Sequence, residues 1–308
     1  QVMVCAQSNA AVDLLVEKLD SLGLDVLRLG HPARLTPEGI ENSLDVKISG
    51  HAYFKELREI RKRSEEYRRM AGKYKRNFGH HERMQRDLLR KEARMLKEDA
   101  DRIEQHITED LLDRAQVIAC TLVGSTHSLV NDRIFKTVFI DEASQALEPG
   151  AWIAIRKAYR VVMAGDHLQL PPTVKSIKAA KEGLENTLFE KAMKIPPASV
   201  MLETQYRMHP QIMQFSSDYF YEGGLKTADS VIERERESTV EHFVFIDTAG
   251  TGFSEKVKKQ TLSTYNEEEA ALLVKHLADN LQVDMSIGII APYKAQTEVL
   301  RELIKDNE

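Results

Sequence analysis

The chain has 308 residues, 42% of them hydrophobic and 30% charged, with a formal net charge of -5. That length and balance predict at least one large buried core, and more readily two, in an ordinary soluble protein. No stretch approaches the roughly 20 apolar residues of a membrane span, and no charged-then-apolar leader precedes a small-residue cleavage site, so neither a spanning helix nor a secretory leader enters the reading.

In chain order, Val2 to Ala6 reads as a strand, Ala10 to Leu22 as a helix and Val26 to Leu29 as a second strand, the first part (1–50) of one domain. The next segment is different in kind. From His51 to Lys97 there are 16 Lys and Arg against 7 Asp and Glu, a local charge of +9 that leaves -14 for the remainder. Between Ala52 and Arg114 there is no proline, apolar residues recur sparsely at three- and four-residue spacing, and Asn77-Phe78-Gly79 offers a turn. This predicts an inserted antiparallel helical hairpin over 51–115, with an apolar stripe too narrow for a core, so that it projects. Its basic faces fit either a solvated stalk or an electrostatic track for a phosphate backbone.

The first domain resumes over 116–204 with strands expected at Val117 to Cys120, Thr137 to Ile140, Val161 to Ala164 and Ser199 to Leu202. Strands alternating with helices predict a doubly wound parallel sheet interrupted by an insert. A second α/β domain is expected over 205–308. It has helices at His209 to Tyr219, Asn266 to Asn280 and Ala295 to Ile304, strands at Phe243 to Asp247 and Ile287 to Ala291, and surface loops at Ala228 to Val240 and Gly250 to Leu262. Cys5 and Cys120 lie inside apolar runs, away from any metal-ligand spacing, which predicts buried reduced thiols in a cytoplasmic protein. Gln1 falls at the start of a strand and Lys305-Asp306-Asn307-Glu308 at the end of a helical pattern, so both termini read as cut and an excerpt of a larger protein is expected.

Two strand ends carry the chemistry. Ile140-Asp141-Glu142-Ala143 closes one apolar run, and Gly165-Asp166-His167-Leu168-Gln169-Leu170-Pro171-Pro172 follows another. In a parallel sheet, ligands sit just beyond the carboxyl ends of the strands. There Asp141 would hold Mg2+ through its water shell, since that small hard cation takes few carboxylates, and Glu142 would orient or deprotonate an attacking water. The pair points to nucleoside-triphosphate chemistry. A bland alternative is that it caps the next helix.

Six segments in order bear a family likeness. Val4 to Asp13 resembles motif Ia of the superfamily 1 helicases, Ala119 to Gly124 motif Ib, Asp141 to Ala146 motif II, and Gly165 to Pro172 motif III. Gln205-Tyr206-Arg207-Met208-His209-Pro210 is similar to motif IV, and Ala291-Pro292-Tyr293-Lys294-Ala295-Gln296 to a later Pro-Tyr element. The chain thus resembles the Upf1-like group, close to the immunoglobulin-mu-binding-protein helicases. That resemblance implies two RecA-like parallel-sheet domains of the P-loop NTPase fold, both truncated here, which clamp ATP and Mg2+ and travel 5' to 3' on single-stranded DNA or RNA as a monomer.

The resemblance also implies roles. Asp141 and Glu142 serve the metal and the water, while Gln169 senses the γ-phosphate through an amide that both donates and accepts. Arg207 acts as an arginine finger and Tyr206 stacks on the adenine. Ser8, Asn9 and Thr121 grip phosphates without reading bases, with Pro292 and Tyr293 in the equivalent place of the second domain, where Tyr293 stacks on a base. Bland roles stand beside these: a turn for Gln169, a salt bridge for Arg207, interdomain packing for Tyr206, helix capping for Ser8 and Asn9, core packing for Tyr293. The phosphate loop G-x-x-x-x-G-K-[ST] occurs nowhere in the chain, and the family's motifs V and VI would lie past Glu308. The chain alone is therefore expected to be inactive. A rival reading is a nucleic-acid-binding or scaffold protein that has shed its motor chemistry, although Asp141, Glu142, Gln169 and Arg207 are all present.

Overall fold

A computed structural model of the chain describes residues 1–30, 33, 35–73, 79–234, 243–280 and 286–305. They fall into two compact units, Gln1–Met201 and Leu202–Glu308. The first is built on five strands: β1 (Val2–Ala6), β2 (Val26–Arg28), β3 (Val117–Thr121), β4 (Val138–Asp141) and β5 (Val161–Met163). All pairings are parallel, in the order β2-β3-β1-β4-β5. The runs of β1, β2 and β3 are apolar without alternation because both faces are covered, whereas Phe139 of β4 and Val162 of β5 are exposed. Val4, Ala6, Val26, Val117 and Ala119 pack against Val12 and Val16 of helix α1 (Asn9–Ser21). Met3, Cys5, Ile118, Cys120, Val138 and Ile140 face the other way.

Short helices α2 (Pro37–Glu41) and α3 (Leu44–Ser49) lead to the long pair α4 (Phe54–Gly72) and α5 (His80–Arg114). Leu57, Ile60, Ser64, Tyr67 and Ala71 on α4, and Leu89, Ala93, Leu96, Ala100, Ile103 and Ile107 on α5, are buried or half-buried and recur alternately three and four apart. That is the seam of a two-helix coiled coil, and it is the hairpin the sparse apolar spacing leads one to expect. The Ser64 hydroxyl donates to the Ala93 carbonyl at 2.8 Å and Arg61 pairs with Glu104 across the seam. Ile48 of α3 packs with Leu57, Ala100 and Ile107, tying the hairpin base to the body. Of the expected turn, Asn77 and Phe78 lie outside the described residues.

The other face of the sheet is closed by the end of α5 with Leu112 and by Ala115, by α6 (Glu148–Ile155) with Ala151 and Ala154, and, past the short α7 (Ile177–Ala179), by Phe189 of α8 (Leu188–Met193). The strand expected at Ser199 to Leu202 does not form. Val200 and Leu202 are almost fully exposed, and no neighbouring strand among the described residues offers the ladder bonds that a strand requires.

In the second unit β6 (Thr204–Gln205) pairs parallel with β7 (Lys226–Thr227), with α9 (Pro210–Phe220) between them. After α10 (Asp229–Arg234), β8 (Lys256–Lys258) and β9 (Ser263–Tyr265) form an antiparallel hairpin. Helices α11 (Glu267–Asn280) and α12 (Lys294–Lys305) follow, and Gln296 locks them by giving its amide to the Asn266 carbonyl and accepting the Asn266 N–H. Four expectations need correction. Phe243 to Asp247 and Ile287 to Ala291 are extended but unpaired, apolar runs without a partner edge among the described residues. The first expected loop holds α10, with residues 235–240 outside the described set. The second holds β8, whose Lys-Val-Lys sequence carries little strand propensity and forms by pairing across the turn at Leu262, where φ is +55°.

Candidate nucleotide and nucleic-acid sites

The parallel register aligns the carboxyl ends of the three inner strands. Ala6 stands opposite Thr121 on one side and Asp141 on the other. The residues read as Mg2+ ligand and as phosphate grip therefore flank one backbone position, with Ser8 and Asn9 immediately beyond it.

On the acidic side, Asp141 ends β4 half-buried, and no protein group among the described residues takes its carboxylate. Glu142 turns the chain in a left-handed conformation, φ 52° and ψ 39°, uncommon for a residue with a Cβ and a mark of functional turns. Its carboxylate is exposed and accepts from the Gln145 amide at 3.0 Å. The acid pair does not cap a following α-helix by its side chains, since the Glu142 turn opens a single 3-10 turn without such a bond.

This turn is stitched to the segment after β5. Ala143 N–H donates to the Ala164 carbonyl and Ala164 N–H to the Ile140 carbonyl, both at 2.8 Å, and Asp166 N–H donates to Ser144 Oγ at 3.1 Å. The approach is close enough to require glycine: a Cβ on Gly165 would lie 2.9 Å from the Ser144 nitrogen. Asp166 then holds Gln169, accepting its amide at 2.8 Å, and accepts the Leu168 N–H at 3.0 Å. A shallow cleft lined by Ser144, His167, Gln169, Pro172 and Glu190 lies here. Sequence reasoning passed over Ser144, Gln145, Gly165 and Asp166, all inside the quoted motifs. Gly165 directly after the strand expected at Val161 to Ala164 was the available signal.

On the other side, Ser8 caps α1 by accepting the Ala11 N–H at 3.1 Å, and Thr121 Oγ1 accepts the Gly124 N–H at 3.0 Å. Each hydroxyl oxygen is thus used as an acceptor, and no protein acceptor among the described residues takes its proton. Capping and ligand binding are compatible for Ser8, because a hydroxyl has one proton to give besides its lone pairs. Asn9 is the first residue of α1, and its Oδ1 accepts from Arg28 at 3.0 Å.

In the second unit, Gln205 shapes the turn that presents Tyr206 and Arg207. Its Oε1 accepts the N–H groups of Arg207 and Met208, and its Nε2 donates to the Met208 carbonyl and Thr227 Oγ1. Tyr206 is 69% exposed, and no acid among the described residues pairs with the exposed Arg207. Pro292 is exposed and Tyr293 half-exposed before α12, so Tyr293 is not packed in a core.

A parallel sheet whose inner strand ends carry paired acids beside hydroxyl donors has the layout of a RecA-like P-loop NTPase. The AAA domain family matches this chain over residues 1–177, and a second AAA domain family matches over 184–308. The DNA polymerase alpha-associated DNA helicase A of Saccharomyces cerevisiae is 33% identical over 346 residues, covering 99% of this chain and 49% of that protein. The DNA-binding protein SMUBP-2 of Rattus norvegicus is 33% identical, covering 99% and 32%. A regulator of nonsense transcripts 1 homolog of Arabidopsis thaliana is 32% identical, covering 96% and 23%. The chain spans about half the length, or less, of the curated relatives it matches. It belongs to the Upf1-like group of superfamily 1 helicases.

Proposed function

We propose that this chain forms the core of an ATP-dependent helicase or translocase that moves 5' to 3' along single-stranded DNA or RNA, working as a monomer in the cytoplasm. The observation that carries the reading is the register at the sheet edge, with Ala6 between Thr121 and Asp141. A change at the nucleotide would be felt one strand away, at the phosphate grip.

Bound Mg2+-ATP supplies the phosphoryl bond whose hydrolysis drives the cycle. Asp141 suits the metal because its carboxylate has no protein partner among the described residues. A single carboxylate with waters and phosphate oxygens is the donor set Mg2+ prefers. Glu142 is the base or water-orienting group, with one carboxylate oxygen held by Gln145. Gln169, tethered through Asp166, has a second amide hydrogen and its carbonyl to report on the terminal phosphate. Arg207 is assigned the positive charge that offsets the transition state and Tyr206 the stacking surface for the base. Ser8, Asn9 and Thr121 donate to the strand, with Pro292 and Tyr293 as the contact from the second unit. The basic hairpin adds sequence-independent attraction for the phosphate backbone.

The test is Glu142→Gln in the full-length protein, with ATP hydrolysis measured against added single-stranded DNA and RNA. Turnover falls by about a hundredfold or more, as loss of a general base does, while ATP and strand binding persist. Retained turnover removes Glu142 from its role, and equal turnover with and without single strands sinks the motor reading.

A further inference from the structure

Among the described residues Arg28 is the largest fully buried side chain, and none of the roles proposed above uses it. It sits at the end of β2 within the apolar run Val26 to Leu29. Among the described residues its guanidinium makes three bonds: Nε to Asp13 Oδ1 at 2.7 Å, Nη1 to the Leu29 carbonyl at 2.5 Å, and Nη2 to Asn9 Oδ1 at 3.0 Å. Asp13 is equally enclosed. Its second oxygen accepts the Thr36 N–H at 2.8 Å, and Gly39 packs so tightly on it that a Cβ would lie 2.7 Å from its Cγ.

A buried ion pair is a weak source of stability, because well-packed apolar residues of similar volume often serve as well or better. What an arginine does that an apolar residue cannot is fork, holding one partner while directing another. Here the second partner is Asn9, in the segment read as the phosphate grip.

We propose that Arg28 is a positioning residue for the strand-binding edge: anchored on Asp13, it holds the Asn9 amide with its oxygen inward and its NH2 group free for a phosphate. A flipped amide would set N–H against N–H beside a full positive charge, so one orientation is enforced. No acceptor among the described residues takes the Nδ2 hydrogens, and the neighbouring Ser8 and Thr121 hydroxyls have a proton to give as well. The edge therefore presents donors already aimed, which lowers the entropic cost of binding. This inference rests on the reading of that edge as a nucleic-acid site.

The test uses the whole chain and a fluorescein-labelled single-stranded oligo-dT or oligo-U, followed by anisotropy. Arg28→Lys keeps a cation beside Asp13 but cannot fork to Asn9, and it weakens binding about tenfold, as does Asn9→Ala, the scale of one charge-assisted hydrogen bond. The double variant is no weaker than either single one, since both remove the same interaction. Additive losses, or wild-type affinity in Arg28→Lys while Asn9→Ala binds weakly, overturn the positioning role and leave the edge as a binding site. Wild-type affinity in Asn9→Ala, Ser8→Ala and Thr121→Val alike sinks the nucleic-acid reading of the edge itself. Should Arg28→Lys not fold, Asn9→Asp decides. Its carboxylate accepts from Arg28, so it melts at or above Asn9→Ala, yet it has no donor and repels phosphate, so it binds less than Asn9→Ala. A melting temperature below that of Asn9→Ala refutes the Arg28–Asn9 bond.

Discussion

Gly165→Ala probes the seam between the Glu142 turn and the segment that carries Gln169. The added Cβ would stand 2.9 Å from the Ser144 nitrogen, 3.1 Å from the Ala143 nitrogen and 3.2 Å from Ser144 Oγ, all inside the ordinary contact distance of 3.4 Å or more. Two of these are backbone atoms, and they cannot simply withdraw: Ala143 N–H is bonded to the Ala164 carbonyl at 2.8 Å, one residue before the substitution. Overpacking of this kind costs about 1–3 kcal/mol. The Asp166 N–H to Ser144 Oγ bond, next to the intrusion, is worth roughly another 1 kcal/mol if it breaks. At roughly 2–4 °C per kcal/mol for a unit of this size, the melting temperature should fall by about 4–16 °C. Ser144→Ala, which removes only the side-chain bond, should fall by about 2–4 °C. Circular dichroism melts of the three proteins side by side make the comparison. A Gly165→Ala protein that melts with wild type, or above Ser144→Ala, refutes the claim that the two segments are held at backbone contact.

Two further outcomes follow from charge. Replacing Arg68, Arg69 and Lys73 with Gln lowers the slope of log affinity against log salt by about 0.7 for each single-strand phosphate that is no longer neutralised, and an unchanged slope leaves the hairpin as a solvated stalk. At the hairpin base, the His51 ring nitrogen, 3.1 Å away, and then the Arg114 guanidinium hold the Asp110 carboxyl below its usual 3.8. A depressed folded value means that the unfolded chain takes up the proton first. The stabilisation is therefore present above the usual carboxylate range and is lost as pH falls through the folded value. Unfolding curves from about pH 6 down to about pH 3 should lose less stability in Asp110→Asn than in wild type, and parallel losses would remove the ion pair from the account.

What could be read from the residues, and what could not, divides along physical lines. The five strands of the first unit and the coiled seam were legible, because a buried parallel strand must be apolar throughout and a helix pair must repeat its contacts every three or four positions. Runs such as Phe243 to Asp247 and Ile287 to Ala291 carry the same signal, yet apolar character declares only a willingness to pair, and the ladder needs a neighbour. Asp141, Glu142, Thr121 and Ser8 were visible as polar residues at strand ends. Arg28 was not, because a charge inside an apolar run looks like noise until its partners, 15 and 19 residues earlier, are seen against it. Gln205 was hidden for a related reason: three of the four side-chain bonds described above are to backbone groups, which no side-chain pattern records.

The junction between α5 and β3 has a mechanical consequence. Only Ala115 and Gln116 separate a 35-residue helix, about 50 Å long, from the strand that ends in Thr121. That short link is pinned on several sides: Ala115 N–H bonds the Leu111 carbonyl, Gln116 N–H bonds Asp25, and the Gln1 amide bonds the carbonyls of Leu112 and Ala115. A joint so restrained does not swivel. Force on the far end of the arm arrives as torque on β3, beside the central strand β1 and one residue pair away from Ala6, and a load on Thr121 travels outward along the same shaft.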